Sequence, residues 1–172
     1  GGDPAVCDNP RQVMATANGR NAGVEVFGIA PDDLLGVPRV AEPEIASGDI
    51  ARFEEGVAIG WEVARTLQVS PGDVIRLISP DGARTPFGTS PRVNAYEVTY
   101  VFQAGRYDID RTRLYMPFDE AQRFFNREGR ADELEVMVAE PDRVQDYTLP
   151  LLRAGGERTL IWTWRDDSGS FL

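Results

Sequence analysis

The residues of this sequence that could do chemistry are carboxylates, in four settings. Asp108 and Asp110 stand two apart in YDIDR, Asp119 and Glu120 are adjacent, Asp166 and Asp167 precede Ser168-Gly169, and Glu97 stands apart from them. Paired carboxylates can divide acid and base work or hold a cation. A calcium loop, however, needs several more oxygen ligands at fixed offsets, and YDIDR does not supply them. Asp108 and Asp110 are therefore read as a solvated turn, Asp119 and Glu120 as favourable charges at a helix start, and Asp166-Asp167 as a polar exit. The chain has no histidine, which excludes Ser-His-Asp and Cys-His arrangements, histidine metal sites and a histidine base. Cys7 is the single cysteine, so neither an internal disulfide nor a thiolate cluster is available. No G-x-G-x-x-G follows a strand and no GxxxxGK[ST] occurs, so nothing marks a phosphate cradle. No catalytic residue, metal or cofactor is expected. The enzymatic alternative is a hydrolase in which Asp108, Asp110 and Glu97 converge in a closed pocket.

Charge narrows the partners. A formal net charge of −10 over 172 residues argues against nucleic acid, which demands a basic face. Lysine is absent and all 18 positive residues are arginine, supplying forked donors suited to interfaces. No apolar run approaches the roughly 18 residues that span a bilayer. The opening residues show no basic start followed by an apolar stretch. The expectation is a soluble domain with one core or two small subdomains sharing one.

The elements that must position any site can be read from periodicity. Residues 12–18 and 23–29 read as strands joined by the turn GRNA, and 30–50 as an extended connector with one short helical turn. In GVAIGWEVARTLQV, 56–69, Ile59, Val63 and Leu67 recur at spacing four with Ala64 beside them, which predicts a helix. SPGD, 70–73, is a turn into the alternating strand VIRLIS, 74–79. Strands are predicted at 94–102 and 112–117, with a turn through AGRYDID between them. FDEAQRFFNREG, 118–129, is a second helix, with Phe124 and Phe125 facing inward and Gly129 as its stop. A strand at 134–140, a helix at 141–155 with a kink or early end at Pro150, and a strand at 159–164 close the chain. Trp162 and Trp164 share one face of that last strand and are read as packing residues. The coarse class is α+β.

One stretch resists this scheme. PDGARTPFGTSPR, 80–92, has thirteen residues, three prolines and two glycines, where a hairpin needs two to five linking residues. Pro80-Asp81-Gly82 and Pro86-Phe87-Gly88 are both turn signals. Two readings stay open on residue chemistry. Proline stiffens the loop, so it can project as a preorganised grip with an apolar tip at Phe87; alternatively it folds back over its own sheet with Phe87 plugging a gap.

Taken together, the segments Gly56 to Val74, 80–91 and Tyr115 to Gln122 resemble, in order and spacing, the periplasmic domain of lipoprotein-releasing ABC transporter permeases (LolC, LolE and the fused LolF). The family shows a G-x-x-LA-x-x-L-x-x-GD-x-V segment, a Pro-rich hook and a YMP-x-(D/E)-A-Q segment. The ending TWRDDSGSFL resembles its TW-x-x-x-N-x-x-F stretch, which leads into a transmembrane helix. The likeness covers most of residues 12–172.

That resemblance implies a fold and a task. The implied fold is a porter-type α/β unit with an inserted β-rich sabre-type subdomain carrying a protruding hook hairpin. The implied organisation is a leader or junction at 1–11, porter-side strands and connector at 12–49, the sabre-like part at 50–130 with the hook at 80–92, a closing porter unit at 131–165, and an exit toward a membrane helix at 166–172. Family members of the LolC type sit in the inner membrane of Gram-negative bacteria. Their hook and a neighbouring basic pad dock the periplasmic lipoprotein carrier LolA, which receives lipoprotein cargo. A separate ATPase, LolD, supplies the energy, so the domain itself would be non-catalytic. Carried over by residue, Pro80, Pro86, Gly88 and Pro91 form the hook framework, with Thr85 and Phe87 at its tip and Arg84 among the partner-binding residues. Arg76 matches one pad position and Asn94 the other, with Arg92 as a substitute for the latter. The alternative is a related permease of the macrolide-exporter or cell-division type that docks another periplasmic partner.

Overall fold

The sheet of this protein is built from segments that alternate between one buried face and two. In the computed structural model, residues 11–80, 82, 84–125, 138–155, 160, 161 and 163 are described. Residues 11–125 belong to one unit, and those from 138 onward to another. Strands β1 (Arg11–Ala17) and β2 (Arg20–Ile29) pair antiparallel with Ala17 opposite Arg20. The turn is therefore Asn18-Gly19, at φ 52° and 70°, and not GRNA. An Asn-Gly pair accepts the positive φ that a two-residue hairpin needs. Asn18 also donates its side-chain amide to the carbonyls of Leu67 and Gln68, at 3.0 and 2.9 Å.

The expected connector at 30–50 holds more structure than one helical turn. It forms α1 (Pro31–Leu35), α2 (Pro38–Ala41) and the exposed strand β3 (Ile45–Gly48). A proline stands at the start of each helix, where its missing N–H costs nothing. After a 3₁₀ turn at Ile50–Glu55, the segment expected to open a helix divides in two. Val57–Gly60 is strand β4, and helix α3 runs only from Trp61 to Leu67. All four β4 residues are buried. Val57 and Ile59 join one apolar cluster and Ala58 the other, so the strand has no polar face to betray its period.

Strand β5 (Val74–Ser79) leads into a small hairpin, β6 (Arg84–Thr85) and β7 (Gly88–Thr89), and the chain returns as β8 (Arg92–Gln103). The predicted turn at 104–110 is in part helix α4 (Tyr107–Thr112), followed by β9 (Arg113–Pro117) and α5 (Phe118–Phe124). Phe124 and Phe125 are buried as expected, 5.0 Å apart and edge to face.

Seven strands form one mixed sheet in the order β3-β8-β4-β9-β2-β1-β5, and an added β5–β8 pairing closes the ring. Strands from residues 12–49 and from 50–130 thus share this sheet. The first half of β8 pairs with β5, and its second half pairs with β3 and β4. One cluster gathers Val13, Val24, Val26, Ile75, Leu77, Leu114 and Met116 with α3 and α5; the other gathers Ile29, Leu34, Phe53, Tyr100, Phe102 and Tyr115. Each such side chain contributes about 1.5–3 kcal/mol on burial.

In the second unit a 3₁₀ turn at Pro141–Arg143 leads into α6 (Val144–Gly155). The helix continues through Pro150 and does not end there. Arg143 bridges Glu140 and Asp146 at 3.2 and 2.8 Å. Cys7, Gly129, Trp162, Trp164, Asp166 and Asp167 lie outside the described residues, as do 134–137, 159, 162 and 164 of the strands expected at 134–140 and 159–164; the described residues of those two segments are not in strands. Among the described residues no helix is long and apolar enough to cross a membrane.

Candidate functional site

The long loop resolves into a hairpin on top of a hairpin. β5 and β8 pair from Val74–Glu97 to Ser79–Arg92, and the residues between them build a separate two-stranded sheet. Arg84 pairs with Thr89 and Thr85 with Gly88, leaving Pro86 and Phe87 at the turn. The Thr85 hydroxyl donates to the Gly88 carbonyl at 2.7 Å. Gly88 has φ +121°, a value L side chains rarely adopt. At the neck, a Cβ on Gly82 would fall on the Ser90 carbonyl oxygen, so the two legs approach as closely as only glycine permits.

Phe87 is 100% exposed and fills no gap. Pro80, Thr85, Pro86, Gly88 and Pro91 are exposed as well; the Arg84 side chain lies outside the described part. An apolar tip on a proline-framed, internally hydrogen-bonded turn loses little entropy on docking.

At the foot of the hairpin, pairing register decides which side chains share a face. Directly opposed residues of an antiparallel pair point to the same side. Arg76 opposes Ala95 and Thr16, and Ile78 opposes Val93 and Met14. This outer face is open, with Met14 44% and Val93 51% exposed. Below it a groove of about 520 Å³ is lined by Met14, Gly23, Ile78, Pro80 and Pro91 among others. Arg92 opposes Ser79 and Asn94 opposes Leu77, both buried, so these two face inward toward α5. The Arg92 Nη1 donates to the carbonyls of Arg123 and Phe124 at 2.5 and 3.0 Å. Asn94 donates to the Tyr96 hydroxyl at 3.2 Å, which donates to Glu120 at 2.9 Å. Burial, ahead of the Glu120 contact, pushes the Tyr96 hydroxyl well above the ordinary tyrosine range. The structure therefore brings Arg76 to the open face beneath the hairpin and places Arg92 and Asn94 on the opposite one. Period-two counting from Leu77 separates Arg76 from its neighbours, but the β5–β8 register is needed to place Arg92.

The carboxylates do not gather. Asp110 is not solvated but buried, accepting the backbone N–H groups of Ala104 and Gly105 at 2.6 and 3.1 Å. Asp108 pairs with Arg106 at 3.2 Å and Glu97 with Arg52 at 3.3 Å. Asp119 and Glu120 occupy the first turn of α5 as expected. Among the described residues no group of three or more metal-ligating side chains occurs.

This fold is shared with an extracytoplasmic part of an ABC-type transporter. The solved extracellular domain of the noncanonic ABC-type transporter YknZ from Gram-positive bacteria superposes with TM-score 0.54 at 16% identity, over 84% of this chain and 68% of that one. In sequence the chain is similar to the lipoprotein-releasing system transmembrane protein LolC of Neisseria meningitidis, 23% identical over 165 residues, covering 94% of the chain and 40% of the relative. LolC of Xylella fastidiosa is 28% identical over 105 residues, 59% of the chain and 25% of the relative. The resemblance to lipoprotein-releasing permeases read from the ordered motifs is borne out. The chain spans about two-fifths of the first relative's length. No family model matches it.

Proposed function

We propose that this chain is the periplasmic domain of a lipoprotein-releasing ABC permease and that it docks the lipoprotein carrier LolA through the hairpin at 80–92. In this reading the hairpin is the hook of a sabre-like part, 50–130, between porter-side segments at 12–49 and 131–165. The observation that carries it is Phe87, fully exposed on a turn that the Thr85–Gly88 bond and Pro86 hold in shape. Similarity to LolC supports the permease setting. The chain then works by recognition and not by catalysis: the hook grips the carrier, Arg76 pairs with its acidic groups, lipoprotein is the cargo, and a cytoplasmic ATPase, LolD, drives release. The parent protein lies in the inner membrane.

The test is binding of this domain to its cognate carrier. Wild type is expected to bind, and Pro86→Gly with Phe87→Ala to lower affinity by at least about tenfold, a cost of about 1.4 kcal/mol. Equal affinity for both proteins would remove the hook role. The likeness to YknZ supports a second reading, a related permease that docks another periplasmic partner. Failure of the wild-type domain to bind any lipoprotein carrier would favour that reading.

A further inference from the structure

We propose that Arg92 is a positioning residue that sets the direction in which the hairpin leaves the sheet, by fastening the foot of β8 to the end of α5. Arg92 is the first residue of β8, and its pairing with Ser79 is the last rung below the loop. Its guanidinium spans to the Arg123 and Phe124 carbonyls, which lie in the last turn of α5. A cation there also complements the helix dipole. That end of α5 is itself fixed. Phe124 is buried and packs edge to face on Tyr96 at 6.0 Å. A second tie runs in parallel from Asn94 through Tyr96 to Glu120, and Glu120 pairs with Arg123 at 2.8 Å.

The rigidity of the hairpin and its direction thus have separate sources. Pro86, the Thr85–Gly88 bond and the Gly82–Ser90 neck hold its shape; Arg92 holds its foot to the core. Removing the guanidinium leaves a shaped hairpin on a loose base. That this lowers carrier affinity rests on the docking reading above, since a swinging hook must be ordered on binding.

The experiment measures direction without a carrier. Spin labels are placed on the full chain at Thr89→Cys in the hairpin and Thr66→Cys on α3, both exposed, in a Cys7→Ser background. A control pair uses Asn21→Cys with Thr66→Cys. The parent is expected to give one narrow distance distribution for each pair. Arg92→Gln should widen the hairpin distribution by about twofold or more while the control pair keeps its width, as expected of local opening. Arg92→Lys, whose ammonium can still donate to the carbonyls, should recover a narrow distribution in part. Unchanged width in Arg92→Gln, or equal widening of both pairs, would overturn the proposal. Widening with unaltered carrier affinity would uphold the positioning role and count against the docking reading.

Discussion

Arg76 and Arg92 flank the same hairpin but lie on opposite faces of the β5–β8 ladder. Arg76 opposes Ala95 on the open face, whereas Arg92 opposes buried Ser79 and is bonded to the end of α5. Two arginines close in sequence to one loop therefore have different work. Of these two, Arg76 is the one whose side chain lies on the open face.

Arg76→Ala should weaken carrier binding by about three- to tenfold and flatten its dependence on salt, because an exposed charge acts through screened attraction. Unfolding should shift by no more than about 0.5 kcal/mol, as is usual for exposed positions. Titrations at two ionic strengths, beside a denaturant melt, check both parts.

The hairpin neck depends on Gly82. In Gly82→Ala the new methyl must displace the Ser90 carbonyl, so the neck opens. Exchange of the amides of the Thr85–Gly88 pair should speed up by about tenfold or more, while core amides keep their protection. Hydrogen-exchange mass spectrometry resolves the two regions.

Asp110 is tied into the fold by the backbone N–H groups of Ala104 and Gly105. Asp110→Ala leaves two backbone N–H groups without their acceptor, at a cost of about 1–3 kcal/mol each. Unfolding should move accordingly, with carrier affinity unaltered at temperatures where the variant is folded. Loss of a hydrolytic activity without loss of stability would restore the enzymatic alternative.

Tyr96 predicts an alkaline limit. Its folded pKa is raised, chiefly by burial, so the folded state favours the neutral phenol. Its contribution is full below the ordinary tyrosine value of about 10 and is lost as pH rises toward the folded value. Buried Tyr100 is shifted the same way. Stability should be level through neutrality and fall above about pH 10, less steeply in Tyr96→Phe than in wild type. Denaturant unfolding between about pH 8 and 11.5 measures the slopes.

Parts of this molecule are legible in its sequence. VIRLIS alternates and is β5 over the residues expected, because a strand with one buried face writes its period into the sequence. Val57–Gly60 does not, since it is buried on both faces, and its apolar run merges with the helix that follows. The Asn18-Gly19 turn was legible but misplaced by the competing turn formers just after it. Asp110 gave no signal, because its partners Ala104 and Gly105 are backbone groups that any sequence offers. The hairpin at 80–92 announced itself through proline and length. The roles of Arg76, Arg92 and Asn94 depend on which faces they occupy, and a shift of one residue in register exchanges those faces.

The central claim is that Phe87 touches the carrier. A photo-crosslinking residue at position 87 of the full-length permease, irradiated in membranes with the carrier present, tests it most directly. The account predicts a carrier adduct at position 87 and none at Asn21, an exposed residue outside the hook. A carrier that crosslinks equally at both positions, or only at Asn21, would contradict it.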